Sequence, residues 1–264
     1  MTGLPNPTQL LVGAMAFLRI GGLLLSLPVI GDAPTPVRVR ILLSLALTIG
    51  LYPAIPASWA PDLATDVLTI SSYVVRELAI GLVVGFCARA AFDGIMMAAT
   101  VVSYQMGFGT ASLFLPDYSE KMDSFSAFHR MMVMLIFLTL GLHRIFLTAV
   151  IDTFRLIPGG GAHLTGSLLS IIITLTGGIL SIAVQLAAPI LVALLFTMAA
   201  IGLIARAVPN MNAFLMSFPA SFIIGMVVYI ATLPFFPGWM QDHFISVQEQ
   251  IHGIIRSMSP TTQP

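Results

Sequence analysis

Few residues of this chain could do chemistry, and they stand out because their surroundings are apolar. Arg19 sits in the middle of a run from Leu10 to Ile30, and Arg76, Glu77 and Arg89 sit in another from about Val67 to Phe92. Ionisable side chains in such runs are costly and turn toward protein or water. Arg19 can therefore line an aqueous path or be hydrogen-bonded between helices. Arg76 and Glu77 are adjacent, so on a helix they point to different faces and each needs a partner elsewhere. Arg89 and Asp93 are four apart and can pair on one face. His129 and His143 have no acidic or second-histidine neighbour at a ligand spacing such as HExxH. No serine lies in a GxSxG context, and no P-loop or dinucleotide fingerprint is present. The single cysteine, Cys87, reads as a small buried hydrophobe. These patterns argue against an enzyme and imply no cofactor and no metal.

One stretch is out of keeping with the rest. Gln105 to Phe125, QMGFGTASLFLPDYSEKMDSF, lies between long apolar runs yet mixes glycine, methionine and phenylalanine with a charged cluster holding the only lysine, Lys121. Gly107 and Gly109 permit backbone angles that other residues resist. The stretch is too broken for a good membrane helix and too apolar for an ordinary wet loop. Methionines gather around it: Met96, Met97, Met106, Met122, Met131, Met132 and Met134. Methionine conforms to varied surfaces, which suits a deformable seal as well as it suits gap-filling in a helical core.

The elements that must position these residues are greasy. The 264 residues are 58% hydrophobic and 8% charged, against roughly 25% charged in soluble domains. No Asp, Glu, Lys or Arg occurs from Leu156 to Ala205, nor from Ala207 to Gln241. About 20 apolar residues cross a bilayer, so these two runs could hold three spans. An all-α, polytopic integral membrane protein follows. Net charge is zero and no basic stripe exists, which argues against nucleic acid as a partner. The first apolar run is too long, and its start too uncharged, for a cleavable signal peptide.

In order, helices are expected over Leu10 to Ile30, roughly Val67 to Phe92 and His129 to about Asp152, with apolar runs over Ile41 to Pro53 and Gly94 to Tyr104, the latter feeding the Gln105 to Phe125 stretch. Proline- and glycine-rich breaks separate them, GDAPTP at 31–36 and Pro158 to Gly161 among them. Gly81 and Gly85 stand in the small-xxx-small spacing that lets another helix approach closely. Thr165 to Ala205 is long enough for two crossings or one bent helix, with Gly177, Gly178 and Pro189 as kink points. ARAVPNMNAF, from Ala205 to Phe214, is a polar break before a last span to about Phe236. Arg206, Asn210 and Asn212 would cap and hold that break. From Met240 to Met258, apolar residues fall at three- and four-residue steps, as in an amphipathic helix lying at an interface or against a partner.

Taken together, the landmarks resemble the FliR family, the membrane export-gate proteins of the bacterial flagellar type III secretion apparatus. They are Arg19, Pro28, Pro34 and Arg38; Arg76-Glu77 with Gly81 and Gly85; Gln105-Met106-Gly107; Leu142-His143 with Phe154 and Pro158; and Arg206, Pro209, Asn212, Phe214 and Pro219. Their wording is closer to the flagellar branch than to the related virulence injectisome. Three departures stand out: Pro116-Asp117 reverses the family's Asp-Pro, Pro209-Asn210 replaces Pro-Gln, and Ala99-Thr100 stands where many members carry Gly-Glu.

The resemblance implies long, kinked helices and helical hairpins packed in a helical hetero-oligomeric gate of the inner membrane. It implies a FliP-like part at 1–164 with a plug loop at about 105–125, a FliQ-like hairpin at 165–239, and an amphipathic tail at 240–264. Met106 to Asp117 would be the plug, with Phe108, Phe114 and Leu115 obstructing and Gly107, Gly109 and Pro116 shaping it. Arg19, Arg76, Glu77, Arg206, Pro209, Asn210 and Asn212 would be structural polar or intersubunit residues. The partners implied are FliP- and FliQ-type subunits, FlhB- and FlhA-type components, unfolded flagellar substrates and lipid. A secondary transporter for a small solute is the competing reading, supported by broken helices and intramembrane charges but lacking an internal repeat. An intramembrane hydrolase would need a nucleophile and base that the chain does not supply.

Overall fold

The computed structural model describes residues 6–28, 31, 35–56, 59, 66–108, 124–161, 167–208, 210 and 212–259. Among these there are eight α-helices and no strand. They are α1 (Pro7–Ser26), α2 (Val37–Leu51), α3 (Val67–Gln105), α4 (Ser124–Thr139), α5 (His143–Leu156), α6 (Ser167–Ala207), α7 (Ala213–Thr232) and α8 (Phe236–Ser257). Single 3₁₀ turns follow α2 and α7 at Tyr52–Ala54 and Leu233–Phe235. Five stretches are long and apolar enough to cross a membrane: Pro7–Ser26, Val37–Ala54, Val67–Gln105, Ile173–Ala207 and Leu215–Ser257. The protein is an all-α, multi-pass membrane protein.

Two boundaries differ from the sequence reading, each for a local reason. The helix expected over about 67–92 continues through the apolar stretch at 94–104 as one helix of 39 residues, because Gly94 is tolerated in a helix interior at a cost of about 1 kcal/mol. The single helix expected over 129–152 is two, α4 and α5. They part at Gly141, whose φ of 66° is the left-handed conformation that ends helices. Of the two readings left open for the run from Thr165, the single helix is the one seen, 41 residues from Ser167 to Ala207 with Pro189 inside it.

The chain forms two compact units, one of residues 1–92, 142–175 and 243–264, the other of 93–141 and 176–242. In the first unit α1 starts with Pro7 at its first position and Asn6 before it, whose N–H donates to Gln9 Oε1 at 3.0 Å. That contact satisfies a donor the helix cannot. α1 and α2 pack as an antiparallel hairpin, with Gln9 near Tyr52 and Gly21 near Ser44. The other face of α1 lies on α3. There a Cβ added to Gly22 would meet Leu78 O at 2.8 Å, one on Gly85 would meet Leu23 O at 2.6 Å, and one on Gly81 would run into Arg19 O. The small-xxx-small spacing is thus occupied by a neighbouring helix of the same chain. Phe244, Val247, Ile251, Ile255 and Met258 are all buried, and Phe244 meets the rings of Phe92 and Phe146 at 5.2 and 6.0 Å. The apolar face of the tail helix is consumed inside its own chain, so it is not left free for a membrane surface or a partner.

In the second unit α6 and α7 run antiparallel on either side of the polar break, Leu194 lying against Gly225. The core is small-sided: Ala98, Ala99, Val102 and Met106 of α3 face Ala183, Ala187, Ile190 and Leu194 of α6, with Phe125 and Tyr229 closing it. Ala99, Val102 and Met106 step by three and four residues, as do the four residues of α6, which places each set on one helix face.

Candidate functional site

The charged residues of the first unit converge on one point. Arg19 Nε donates to Glu77 Oε2 at 2.6 Å and Nη2 to Oε1 at 3.1 Å, the two-pronged geometry that strengthens such pairs. Arg19 Nη1 also donates to Thr153 O at 2.8 Å, and the Gly160 N–H donates to Glu77 Oε1 at 2.8 Å. The guanidinium lies between the rings of Trp59 and Phe154, 5.1 and 4.9 Å from their centres. Trp59 Nε1 in turn donates to Ile157 O at 3.0 Å. Arg19 is 1% and Glu77 0% exposed, and the geometry is a pair whose remaining polar atoms are also satisfied. Arg76, on the neighbouring face of α3, donates to Gly160 O at 2.8 Å. The adjacent Arg76 and Glu77 do not pair with each other; both grip the turn after α5, Arg76 at the Gly160 carbonyl and Glu77 at the Gly160 N–H. Of the two roles open to Arg19, hydrogen bonding between helices is the one seen.

In the second unit α3 ends at the glutamine-methionine-glycine signature. Met106 N–H still bonds to Val102 O at 2.9 Å, but Gly107 N–H takes Tyr104 O at 3.1 Å, one residue tighter. Gly107 then turns to φ 97°, an angle that favours glycine. A Cβ there would lie 2.5 Å from the Phe218 ring. Met106 is fully buried and its side chain rests on Gly225, where a Cβ would come within 2.7 Å of the Met106 methyl. Phe108 stacks on Phe125 at 6.0 Å and meets Phe222 edge-on at 5.6 Å. Phe125 continues into an aromatic group: Tyr229 lies 4.9 Å away, and its hydroxyl is 2.9 Å from His129 Nδ1 and donates to Met132 Sδ at 3.6 Å. Beside these rings is a cavity of about 210 Å³ whose lining includes Ala98, Val102, Phe125, His129, Tyr229 and Trp239.

Gly109, Phe114, Leu115, Pro116 and Asp117 of the expected plug lie outside the described residues, as does Pro209. Arg206 is exposed in the last turn of α6, where a cation complements the helix dipole. Asn210 is exposed in the break, and Asn212 Oδ1 accepts the Leu215 N–H at 3.2 Å, capping α7. Of the methionines, Met106 and Met132 fill the core, whereas Met131 is 77% exposed.

Sequence reasoning missed Trp59 and Gly22 in the first unit and Phe218, Phe222, Gly225 and Tyr229 in the second. The last four had a signal: steps of four, three and four put them on one face of α7. Among the described residues no three His, Cys, Asp or Glu side chains gather as a metal site. What both arrangements can do is mechanical, fixing backbone at helix ends.

Comparison with known proteins agrees across the chain. The family described as bacterial export proteins, family 1, matches residues 10–247. The chain is similar to the flagellar biosynthetic protein FliR of Escherichia coli (strain K12), 26% identical over 91% of each chain. It is similar to FliR of Aquifex aeolicus (strain VF5), 24% identical over 87% of this chain and 88% of that one. With FliR of Caulobacter vibrioides it shares 25% identity over 88% and 92% of the two chains.

Proposed function

The chain belongs to the bacterial export proteins, family 1, and from that premise we propose that it is a structural and gating subunit of the flagellar type III protein export channel. In this role it passes unfolded flagellar proteins across the bacterial inner membrane and is not an enzyme. The observation that carries the reading is the match over residues 10–247, with relatives named as flagellar biosynthetic proteins across nine-tenths of their length.

Residues 1–164 act as a FliP-like part and 165–239 as a FliQ-like hairpin, with 240–264 as a tail. FliP- and FliQ-type subunits are the neighbours, and FlhB- and FlhA-type components the further partners. Helix lengths support packing outside as well as inside lipid. At 1.5 Å per residue α3 and α6 are about 58 and about 61 Å long, twice the hydrocarbon thickness of roughly 30 Å. Apolar faces exposed in the single chain, such as Leu195, Phe196 and Leu203 on α6 and Leu215, Ile223 and Val227 on α7, suit sister subunits and lipid alike.

Met106 to Asp117 is the plug, and its support is the abrupt end of α3 on a pinned Met-Gly-Phe step. Arg19, Arg76 and Glu77 hold the helices that frame the channel wall, while Arg206, Pro209, Asn210 and Asn212 hold the hairpin's turn. The test is deletion of residues 109–116 in the assembled complex. Small-ion leakage across the membrane should rise by about tenfold or more while co-assembly survives; unchanged leakage in an assembled complex removes the plug assignment.

A further inference from the structure

A loop can obstruct a bore only if its root is held still, and the root here is described in full. Met106, Gly107 and Phe108 are consecutive, and all three meet α7: Met106 on Gly225, Gly107 under the Phe218 ring, Phe108 against the Phe222 edge. Phe218, Phe222 and Gly225 are spaced by four and three, so they form one helix face. Three consecutive residues of a continuing helix would fan out over most of its circumference. Their common docking requires the break at Gly107, whose φ of 97° delivers it. The far root, Phe125, stacks on Phe108 at 6.0 Å, so the two ends of the loop are clasped together on the same aromatic group.

We propose that the Phe218–Phe222–Gly225 face of α7 is the positioning surface of the plug, with Met106 seated on Gly225 as the contact that sets where the plug leaves α3. None of these α7 residues need touch a passing substrate; they act through residues 106–108. This inference rests on the gating reading above. It places the control of leakage partly in the second half of the chain, on the hairpin that follows the polar break. The size relation is specific. Met106 fills the space that Gly225 vacates, and Leu194 borders it 3.4 Å from the position of an added Cβ.

The test uses the full chain assembled with its FliP- and FliQ-type neighbours, in which potassium leakage and co-elution are both measured. Gly225→Leu evicts Met106 and should raise leakage roughly tenfold, toward the level of the 109–116 deletion. Combining Gly225→Leu with Met106→Ala exchanges the volumes and should return leakage to near the parent level. Where Gly225→Leu does not co-elute, Phe222→Ala and Phe108→Ala replace it. Each should raise leakage, and the double variant should leak no more than either single one, because both remove the same ring contact. Leakage at the parent level in assembled Gly225→Leu, beside a leaking deletion, overturns the seat and leaves the plug standing. A deletion that does not leak overturns the plug and the seat with it. A leaking Gly225→Leu that Met106→Ala does not restore also overturns the seat.

Discussion

Arg19 and Glu77 illustrate what a charge does when apolar helices surround it. Each has removed the other's desolvation problem, and the backbone oxygen of Thr153 and the Gly160 N–H take up further valences. Breaking such a pair from one side leaves a buried charge unmatched, at about 3–5 kcal/mol. Arg19→Met or Glu77→Gln should therefore lower the thermal stability of the detergent-solubilised protein sharply, and Arg19→Met with Glu77→Leu should recover much of the loss. A double variant as unstable as the worse single one would show that the carbonyl and ring contacts, not the pair, dominate. The separation of Arg76 from Glu77 was readable from their adjacency. Their partners in the turn after α5 were not, because both are backbone atoms of Gly160, and Trp59, the ring beside Arg19, stands alone in a proline-rich loop. Backbone acceptors leave no mark in a sequence.

Among elements, the crossing of α1 and α3 shows where spacing was informative. Gly81 and Gly85 announced a close approach, but not by which helix. The answer depended on Gly22 and Ser26, a second small-xxx-small pair on α1, and a Cβ on Gly85 would meet Ser26 Cβ at 2.6 Å. Substituting Gly81 with Leu would drive a side chain into the Arg19 backbone, costing at least about 1–3 kcal/mol by overpacking and displacing Arg19 from Glu77. Gly13→Ala is the control, since a Cβ there meets nothing within 4 Å. Thermal unfolding should separate the two, and an unchanged Gly81→Leu protein would mean that the helices can part. Helix ends were less legible than helix faces. Gly94 follows the expected helix end near Phe92 and is interior to α3, whereas Gly141 lies inside the helix expected over 129–152 and divides it. A glycine is compatible with both, and the left-handed angle that decides between them comes from packing. The tail was legible in its period but not in its destination, because an amphipathic stripe looks alike whether it faces lipid, a partner or Phe92 and Phe146.

For the whole molecule, composition alone identified a multi-pass membrane protein, and the ordered landmarks from Arg19 to Pro219 pointed to the family that the comparison then matched over residues 10–247. Less legible was how a single chain could be stable with so much apolar surface on α2, α6 and α7. Exposed patches of that extent mark interaction with other proteins or with lipid. Under the proposed function a large share of them faces unlike neighbours, which makes purification the most direct test. Expressed at native level and extracted in mild detergent, the chain should co-elute as one stable complex with two different membrane proteins of the FliP and FliQ types, and lose its folded state when produced without them. A chain that is monodisperse by itself, or only as a homo-oligomer, and that moves a small solute in liposomes would contradict it.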